Sequence, residues 1–114
     1  MKEFNFDYDE KYDDLFVFEK GRKSDGGIEI GDFVFDFTNE GEFVSFEIQN
    51  AKENLNRISQ KGYIDLTKLK NCKVEINTIK DFIIINMNFI FEDNSIQSSI
   101  IIPSIKEKSQ ALCY

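Results

Sequence analysis

The sequence predicts a mainly β (α+β) protein, an antiparallel meander of six to seven strands with one short central helix. Three observations lead to this fold class. The apolar residues are of β-favouring types, with twelve Phe and no Trp among 114 residues. Apolar and polar residues alternate at period two in several short runs, which is typical of strands with one buried face. A single helical pattern separates two runs of strands, and the short links favour antiparallel pairing.

The length predicts a single domain over residues 1–114, because a chain of this size forms one hydrophobic core. Within it we expect three sections. Residues 1–49 form an acidic β-meander, residues 50–60 form the helix, and residues 72–103 form three C-terminal strands.

The acidic section contains several strand-like segments. Residues 4–9 and 15–18 predict a hairpin around an acidic turn. Residues 28–30 resume extended structure, and Gly31 is expected to be a bulge or kink that leads into the strand 32–37. Asn39-Glu40-Gly41 predicts a tight connection to the strand 43–48.

The faces of this last hairpin follow from the alternation. In the strand 32–37, the face expected to be buried contains Phe33, Phe35 and Phe37. In the return strand 43–48, the face expected to be buried contains Val44, Phe46 and Ile48.

The helix has a start signal and an apolar stripe. Asn50 is the expected N-cap, with Glu53 three residues later in the capping-box position. Ala51, Leu55 and Ile58 share one side of a short amphipathic helix.

The C-terminal strands have an apolar face and a second, partly apolar one. Residues 72–77 alternate, residues 82–91 form a long strand, and residues 96–102 precede Pro103. In the long strand Phe82, Ile84 and Ile90 lie opposite the main apolar stripe. We therefore expect self-association through these strands, as a homo-oligomer, since one short helix does not easily cover both faces. The alternative is that the helix and the first sheet together cover both faces within a monomer.

Charge narrows the classes of partner. The net charge is −7, with −9 in residues 1–50 and +2 in residues 51–114. This acidic balance argues against a nucleic-acid partner and against a membrane surface. No secretory signal is evident and the longest apolar run, residues 82–91, is too short to span a bilayer, so the expected location is the cytoplasm.

The residue inventory argues against an enzyme and against a cofactor. The chain has no His, which excludes His-dependent nucleophiles, His general bases and His-containing zinc sites. No phosphate-binding glycine motif occurs. Cys72 is expected to be a packed thiol at the start of a strand, and Cys113 an exposed thiol in the tail.

Carboxylates are the remaining candidates for a site. Asp7, Asp9, Asp13 and Asp14 crowd the first hairpin turn, and carboxylate oxygens are ligands for Ca²⁺ or Mg²⁺. Their spacing does not fit an EF-hand loop. A solvated turn is the alternative interpretation, and a carboxylate pair for acid–base catalysis fits the same residues less well.

The first fifty residues resemble the domain-of-unknown-function family 2283, small proteins of archaea and bacteria. The matching segments are residues 6–9, 12–17, 29–37 and 39–51, and Ser45-Phe46 departs from the Gly-Ile that commonly opens the last strand of the family. Residues after this stretch resemble longer archaeal members that append a helix and three strands. The family has no established catalytic residues. Some bacterial members lie beside small toxin-like genes, so the resemblance implies an antitoxin role as one alternative.

Three hypotheses about function follow. The first is a non-catalytic protein-interaction or assembly module. The second is a weak divalent-cation-binding protein at the acidic hairpin, and the third is an antitoxin-like partner of a small toxin.

Overall fold

A computed structural model describes residues 1–59 and 64–103 of the chain. These residues form eight β-strands, one α-helix and one turn of 3-10 helix. Their bounds are β1 Lys2–Asp9, β2 Asp14–Phe18, β3 Gly26–Ile30, β4 Phe33–Phe37, β5 Phe43–Ile48, α1 Ala51–Ser59, the 3-10 turn Leu66–Lys68, β6 Asn71–Ile79, β7 Phe82–Ile90 and β8 Ser95–Pro103.

The eight strands form one antiparallel sheet that curls into a half-barrel, in the order β3-β4-β5-β2-β1-β6-β7-β8. The mainly β class is therefore confirmed. The predicted meander holds for β6, β7 and β8, which pair in chain order. It is wrong for the first half, where β2 pairs with β5 instead of β3, so that β2 to β5 form a Greek key.

The strand number of six to seven is also wrong, because Gly31 is a turn and not a bulge. Its φ of +58° lies in the left-handed region, which glycine adopts without steric cost. Gly31 and Asp32 form a two-residue connection that folds β3 back onto β4, with Ile30 opposite Phe33. One predicted segment thus becomes a hairpin of two strands.

The β4–β5 hairpin exists as predicted, with one shift in its faces. Phe35 lies opposite Phe46, and both are buried in the core. The register shifts between Asp36 and Phe37, which places Phe37 opposite Phe43. Phe43 therefore joins the core cluster where the strict alternation predicted Val44, although Val44 is itself buried.

One hydrophobic core fills the concave side of the half-barrel. It contains inward-facing residues from both halves of the sheet, together with Ala51 and Leu55 of α1 and Leu66 of the 3-10 turn. Helix α1 contacts β8. Ile58 of the predicted apolar stripe is 37% exposed, so the helix buries a narrower side than expected. Residue 60, the predicted end of the helix, lies outside the described residues.

Strand β1 joins the two halves of the sheet. Its residues Lys2 to Phe4 pair with β6, and its residues Asn5 to Asp9 pair with β2. Within residues 1–59 and 64–103, no helical segment has the length and apolar character that crossing a bilayer requires.

Candidate functional site

Asp13, one of the four predicted metal ligands, is the cap of helix α1. Its φ is +55°, and its carboxylate accepts hydrogen bonds from the Lys52 backbone nitrogen at 3.1 and 3.2 Å. The carbonyl oxygen of Asp13 accepts from the Ala51 nitrogen at 2.9 Å. The same carboxylate accepts a 2.6 Å hydrogen bond from the hydroxyl group of Tyr8. The negative charge thus lies at the positive end of the helix dipole.

Asn50, the predicted N-cap, holds the cap position without the cap bond. Its carbonyl oxygen accepts the first helical hydrogen bond from Asn54 at 3.0 Å, as an N-cap carbonyl does. Its φ of +50° is not the extended conformation that N-cap residues usually have. The hydrogen bonds to the first helical amides come from Asp13, so the prediction names the right position and the wrong side chain.

The other three carboxylates of the hairpin point to different surroundings. Oδ1 of Asp9 accepts from the backbone nitrogens of Lys11 and Tyr12, at 3.0 and 3.3 Å, and so shapes the turn. Asp7 is exposed on the outer face of β1, and Asp14 is half-buried at the start of β2. In the described part of the chain, no three acidic or cysteine side chains lie close enough together to hold a metal ion.

The outer face of the first half-sheet is acidic with an aromatic centre. A shallow recess of about 300 Å³ lies on it, lined by Asp7, Phe16, Phe18, Asp36, Ser45 and Glu47. Phe16 is 40% exposed at its centre. The Ser45 hydroxyl donates to Asp36 at 3.0 Å. On this outer face, the charged side chains of β1 to β5 are all carboxylates. Negative charges therefore lie near one another here.

The pKa of Glu47 is raised on this acidic face. Desolvation by burial raises the pKa of its carboxyl group, and the neighbouring charges of Asp14 and Asp36 raise the pKa further. The ionised form of Glu47 therefore destabilises the folded state locally. A charged face of this kind keeps a chain soluble, and we assign it no ligand.

The outer face of the second half-sheet has the opposite character. Strands β6, β7 and β8 contain one cation, Lys73, and one anion, Glu75. At the β6–β7 turn this face becomes apolar. Ile79 lies opposite Phe82, and Ile84 lies opposite Ile101. We name these four side chains the apolar end.

The apolar end is open to solvent. Ile79 is 57% exposed, Phe82 is 51% exposed and Ile101 is 65% exposed, while Ile84 is half-buried between them. The alternation along residues 82–91 predicts this placement of Phe82 and Ile84 correctly. Contiguous exposed apolar side chains are the usual mark of a surface that contacts another molecule.

The described thiol is not a reactive one. Cys72 is fully buried on the inner face of β6, opposite Phe89, and burial raises its pKa to about 12. At neutral pH it is therefore a protonated, apolar side chain. The prediction of a packed thiol is confirmed. Cys113 lies outside the described residues.

A second recess, of about 400 Å³, lies between the 3-10 turn and the β7–β8 turn. It is lined by Asp65, Lys68 and Lys70 from one side and by Glu92 and Asp93 from the other. The hydroxyl group of Thr67 donates to Asp65 and lowers the pKa of that carboxyl group. The carboxylate of Asp65 also accepts from the Thr67 backbone nitrogen at 3.1 Å, so Asp65 caps the 3-10 turn.

Comparison with known proteins finds a relative whose name gives no function. Over 50 residues the chain is 38% identical to the uncharacterized protein MJ0789 of Methanocaldococcus jannaschii, and the match covers 44% of this chain and 43% of that protein. The matched stretch thus spans less than half of that relative. No family model matches the chain. No solved structure matches it either. The chain is therefore similar, over less than half of its length, to an uncharacterized archaeal protein.

Proposed function

We propose that the protein is a non-catalytic assembly module that binds another protein chain through the apolar end. The observation that carries this proposal is the exposure of Ile79, Phe82 and Ile101 side by side on one sheet face. Burying one such side chain contributes about 1.5–3 kcal/mol when it is fully removed from water. Phe82 is the natural anchor, because aromatic side chains carry a large share of interface energy.

The rigidity of the surface supports the same proposal. The apolar end lies on paired strands instead of a loop, and the inner faces of those strands are packed in the core through Ile83, Ile85 and Ile102. A surface held by a packed sheet loses little conformational entropy on binding.

The proposal of a non-catalytic role rests on the side chains available. The sequence has no His, and its one described thiol is buried with a raised pKa. Glu47 has a raised pKa, but it lies on an open face among other carboxylates, and the Ser45 hydroxyl in the same recess donates to Asp36 instead of to Glu47.

A photo-crosslinking experiment tests the binding surface. We would place p-benzoylphenylalanine at Phe82, and in a matched control at Tyr12, which is 65% exposed on the acidic half. After irradiation in extract of the source cells and in purified protein, crosslinks to protein should form at Phe82 and not at Tyr12. Equal crosslinking at both positions, or none at either, would refute the proposal.

The identity of the crosslinked chain separates assembly from the antitoxin hypothesis. Mass spectrometry of the Phe82 adduct should find a chain that is retained when the protein is purified. A small toxin captured there would instead support the antitoxin role.

We further propose that the chain belongs to the domain-of-unknown-function family 2283 and acts in the cytoplasm. Family membership is supported by the pattern of residues 6–51, and a structure of a family member should show the β2–β5 Greek key. Cell fractionation with an antibody to the protein tests the location.

A further inference from the structure

We infer that the chain bound at the apolar end is a second copy of this protein, packed face to face through the outer faces of β6, β7 and β8. The two-fold axis runs along β7, between the two sheets. This inference rests on the proposed function, and it names the partner and the mode of contact. The apolar end of each copy is buried against the apolar end of the other.

The outer face of β6, β7 and β8 consists of five rows of three side chains, one from each strand, as the strand register defines them. In order from the β6–β7 turn, the rows are Ile79, Phe82 and Pro103; Asn77, Ile84 and Ile101; Glu75, Asn86 and Ser99; Lys73, Asn88 and Gln97; and Asn71, Ile90 and Ser95. The first two rows contain the apolar end, and the next two carry the two charges. The face is therefore apolar at one end and mainly polar beyond it.

Helix α1 contacts β8 from the inner side of the sheet and leaves the outer face to solvent. Leu55 of the helix belongs to the same core as Ile96 and Ile102 of β8. The residues of β8 that alternate with these two face outward, and Gln97 and Ile101 among them are exposed. The proposed contact therefore uses a sheet face and makes no use of the edge of β8.

The order of the rows favours an axis along β7 over an axis across the strands. An axis across the strands at the middle row would bring Glu75 against Glu75 of the second copy, and the apolar rows against Lys73 and its neighbours. An axis along β7 exchanges β6 with β8 and keeps β7 opposite β7, so each row meets the same row of the second copy. Apolar side chains then meet apolar side chains.

An axis along β7 also places a neutral hydrogen-bonding group opposite each charge. Glu75 lies at the β6 end of its row and Ser99 at the β8 end, so the Glu75 carboxylate faces the Ser99 hydroxyl of the second copy. In the next row, Lys73 faces Gln97 of the second copy. Charges of like sign do not meet across this contact, and such complementarity favours one partner and one orientation. The face is thus complementary to itself, which identifies a second copy as the partner.

The size of the face agrees with a small dimer interface. The four side chains of the apolar end are few beside the roughly 20–30 residues that each partner contributes to a standard interface. The whole face offers fifteen outward residues, five from each of the three strands. The half-barrel is convex on this side, so the two sheets diverge beyond these strands. We therefore expect a dimer at the weak end of the interface range.

The acidic halves of the two copies lie apart in this dimer. Residues 1–50 carry a net charge of −9, whereas the strands β6 to β8 carry one cation and one anion. Contact between two first halves would bring like charges together. Because the axis runs along β7 and the convex sheets diverge from it, the first halves point to opposite sides.

Sedimentation equilibrium over a concentration series up to about 100 μM tests the partner and the surface. The wild-type protein should reach twice the monomer mass. Phe82→Lys should weaken the dimer at least tenfold, because residue 82 of each copy lies beside the axis and the two charges repel. Phe16→Lys is the matched control, since Phe16 is 40% exposed on the outer face of the other half and Phe82 is 51% exposed. The control should leave the dimer intact.

A pair of opposite charges at Ser99 tests the axis. With the axis along β7, Ser99 faces Glu75 of the second copy, so Ser99→Lys should tighten the dimer and Ser99→Glu should weaken it. We expect the two dissociation constants to differ at least fivefold. Both variants lose the hydrogen bond from Ser99 to Asn86, so the sign of the charge is what differs between them. Phe16→Lys and Phe16→Glu measure the effect of net charge alone and should differ less. Equal weakening by the two Ser99 variants would overturn the axis along β7.

The remaining outcomes separate this inference from the proposed function. A dimer that survives Phe82→Lys overturns the inference alone. A monomer at about 100 μM also overturns it, and the proposed function stands if Phe82 still crosslinks to a different chain. If the protein is monomeric and Phe82 crosslinks to nothing, both proposals fall. A crosslink from Phe82 into residues 104–114 of the same chain would overturn both as well.

Discussion

The hydroxyl group of Tyr8 donates a 2.6 Å hydrogen bond to Oδ1 of Asp13. The same carboxylate also accepts a hydrogen bond from the backbone amide of Lys52. The Asp13 side chain thus ties strand β1 to the first turn of helix α1, and Asp13 and Lys52 are 39 residues apart in the sequence. Burial, followed by this bond to Asp13, raises the pKa of Tyr8.

The capping role of Asp13 predicts a difference between two glycine substitutions. Asp13 and Asn50 have φ of +55° and +50°, so glycine fits the backbone at both. Asp13→Gly should lower the free energy of unfolding by about 2 kcal/mol, since it removes the cap and the partner of the Tyr8 hydroxyl. Asn50→Gly should change it by less than about 0.5 kcal/mol. Urea denaturation followed by circular dichroism measures both, and equal losses would show that Asn50 shares the cap.

Core packing predicts a contrast between two Phe residues. Phe35 is fully buried and Phe16 is 40% exposed on the opposite face of the sheet. Phe35→Ala should lower the free energy of unfolding by about 3–5 kcal/mol, through lost burial and the cavity left behind. Phe16→Ala should cost less than about 1 kcal/mol. A loss under about 1 kcal/mol for Phe35 would mean that the sheet faces are inverted.

The raised pKa of Cys72, about 12, predicts an inert thiol. In a Cys113→Ser variant, iodoacetamide at pH 8 should leave Cys72 unmodified in the native protein and alkylate it fully in urea. The reason is that alkylation needs the thiolate, which is scarce four pH units below the pKa. Mass spectrometry at timed intervals gives both rates. Modification as fast in buffer as in urea would be incompatible with a buried position.

The raised pKa of Glu47 predicts that its charge destabilises the fold. A group with a raised folded pKa favours the folded state when protonated, and this contribution is lost as the pH rises through that pKa. Glu47→Gln should therefore be more stable than the wild type at pH 7, by less than about 1 kcal/mol because water screens this face. The difference should vanish below the ordinary pKa of glutamate.

Glu29→Gln is the matched control for Glu47. Glu29 lies in the same row of the sheet, opposite Val34, but is exposed on the edge strand. Its substitution should change thermal stability at pH 7 less than Glu47→Gln does. An equal gain would assign the effect to net charge instead of local crowding.

The acidic hairpin predicts at most weak calcium binding. Asp9 accepts from two backbone amides and Asp13 caps the helix, so two of the four carboxylates already have hydrogen-bond donors. Isothermal titration should show a dissociation constant above about 10⁻⁵ M, weaker than sensor sites. Saturable binding tighter than this, abolished by Asp7→Asn with Asp14→Asn, would establish a cation site at the hairpin.

The sequence predicts those parts of the fold that local alternation determines. The β4–β5 hairpin, the strands of the C-terminal half and the outward placement of Phe82 and Ile84 all follow from neighbours two residues apart. The Greek key does not, because the pairing of β2 with β5 depends on contacts distant in sequence. Gly31 allows a bulge as readily as a turn, and alternation alone does not choose between them.

The roles of Asp13 as a helix cap and of β8 as an edge strand likewise cannot be predicted from local sequence. Nothing local marks Asp13 as the partner of a helix that begins at residue 51, since an acidic turn has the same composition whether it caps or is solvated. The sequence shows that β8 has no charged side chain, but only the strand order shows that β8 is an edge strand.

The division of β1 between two partners has a consequence for the order of folding. Its pairs with β2 close a short hairpin, whereas its pairs with β6, Lys2 with Val74 through Phe4 with Cys72, join residues 68 to 72 positions apart. Local hairpins form in microseconds, and closing so long a loop is the slower event. The two half-sheets can therefore assemble as separate cooperative units that meet at a seam of three residue pairs. Native-state hydrogen exchange should show the backbone amides of that seam exchanging faster than those within either half. Opening of the seam should also separate the rings of Phe4 and Phe43, whose centroids lie 6.0 Å apart.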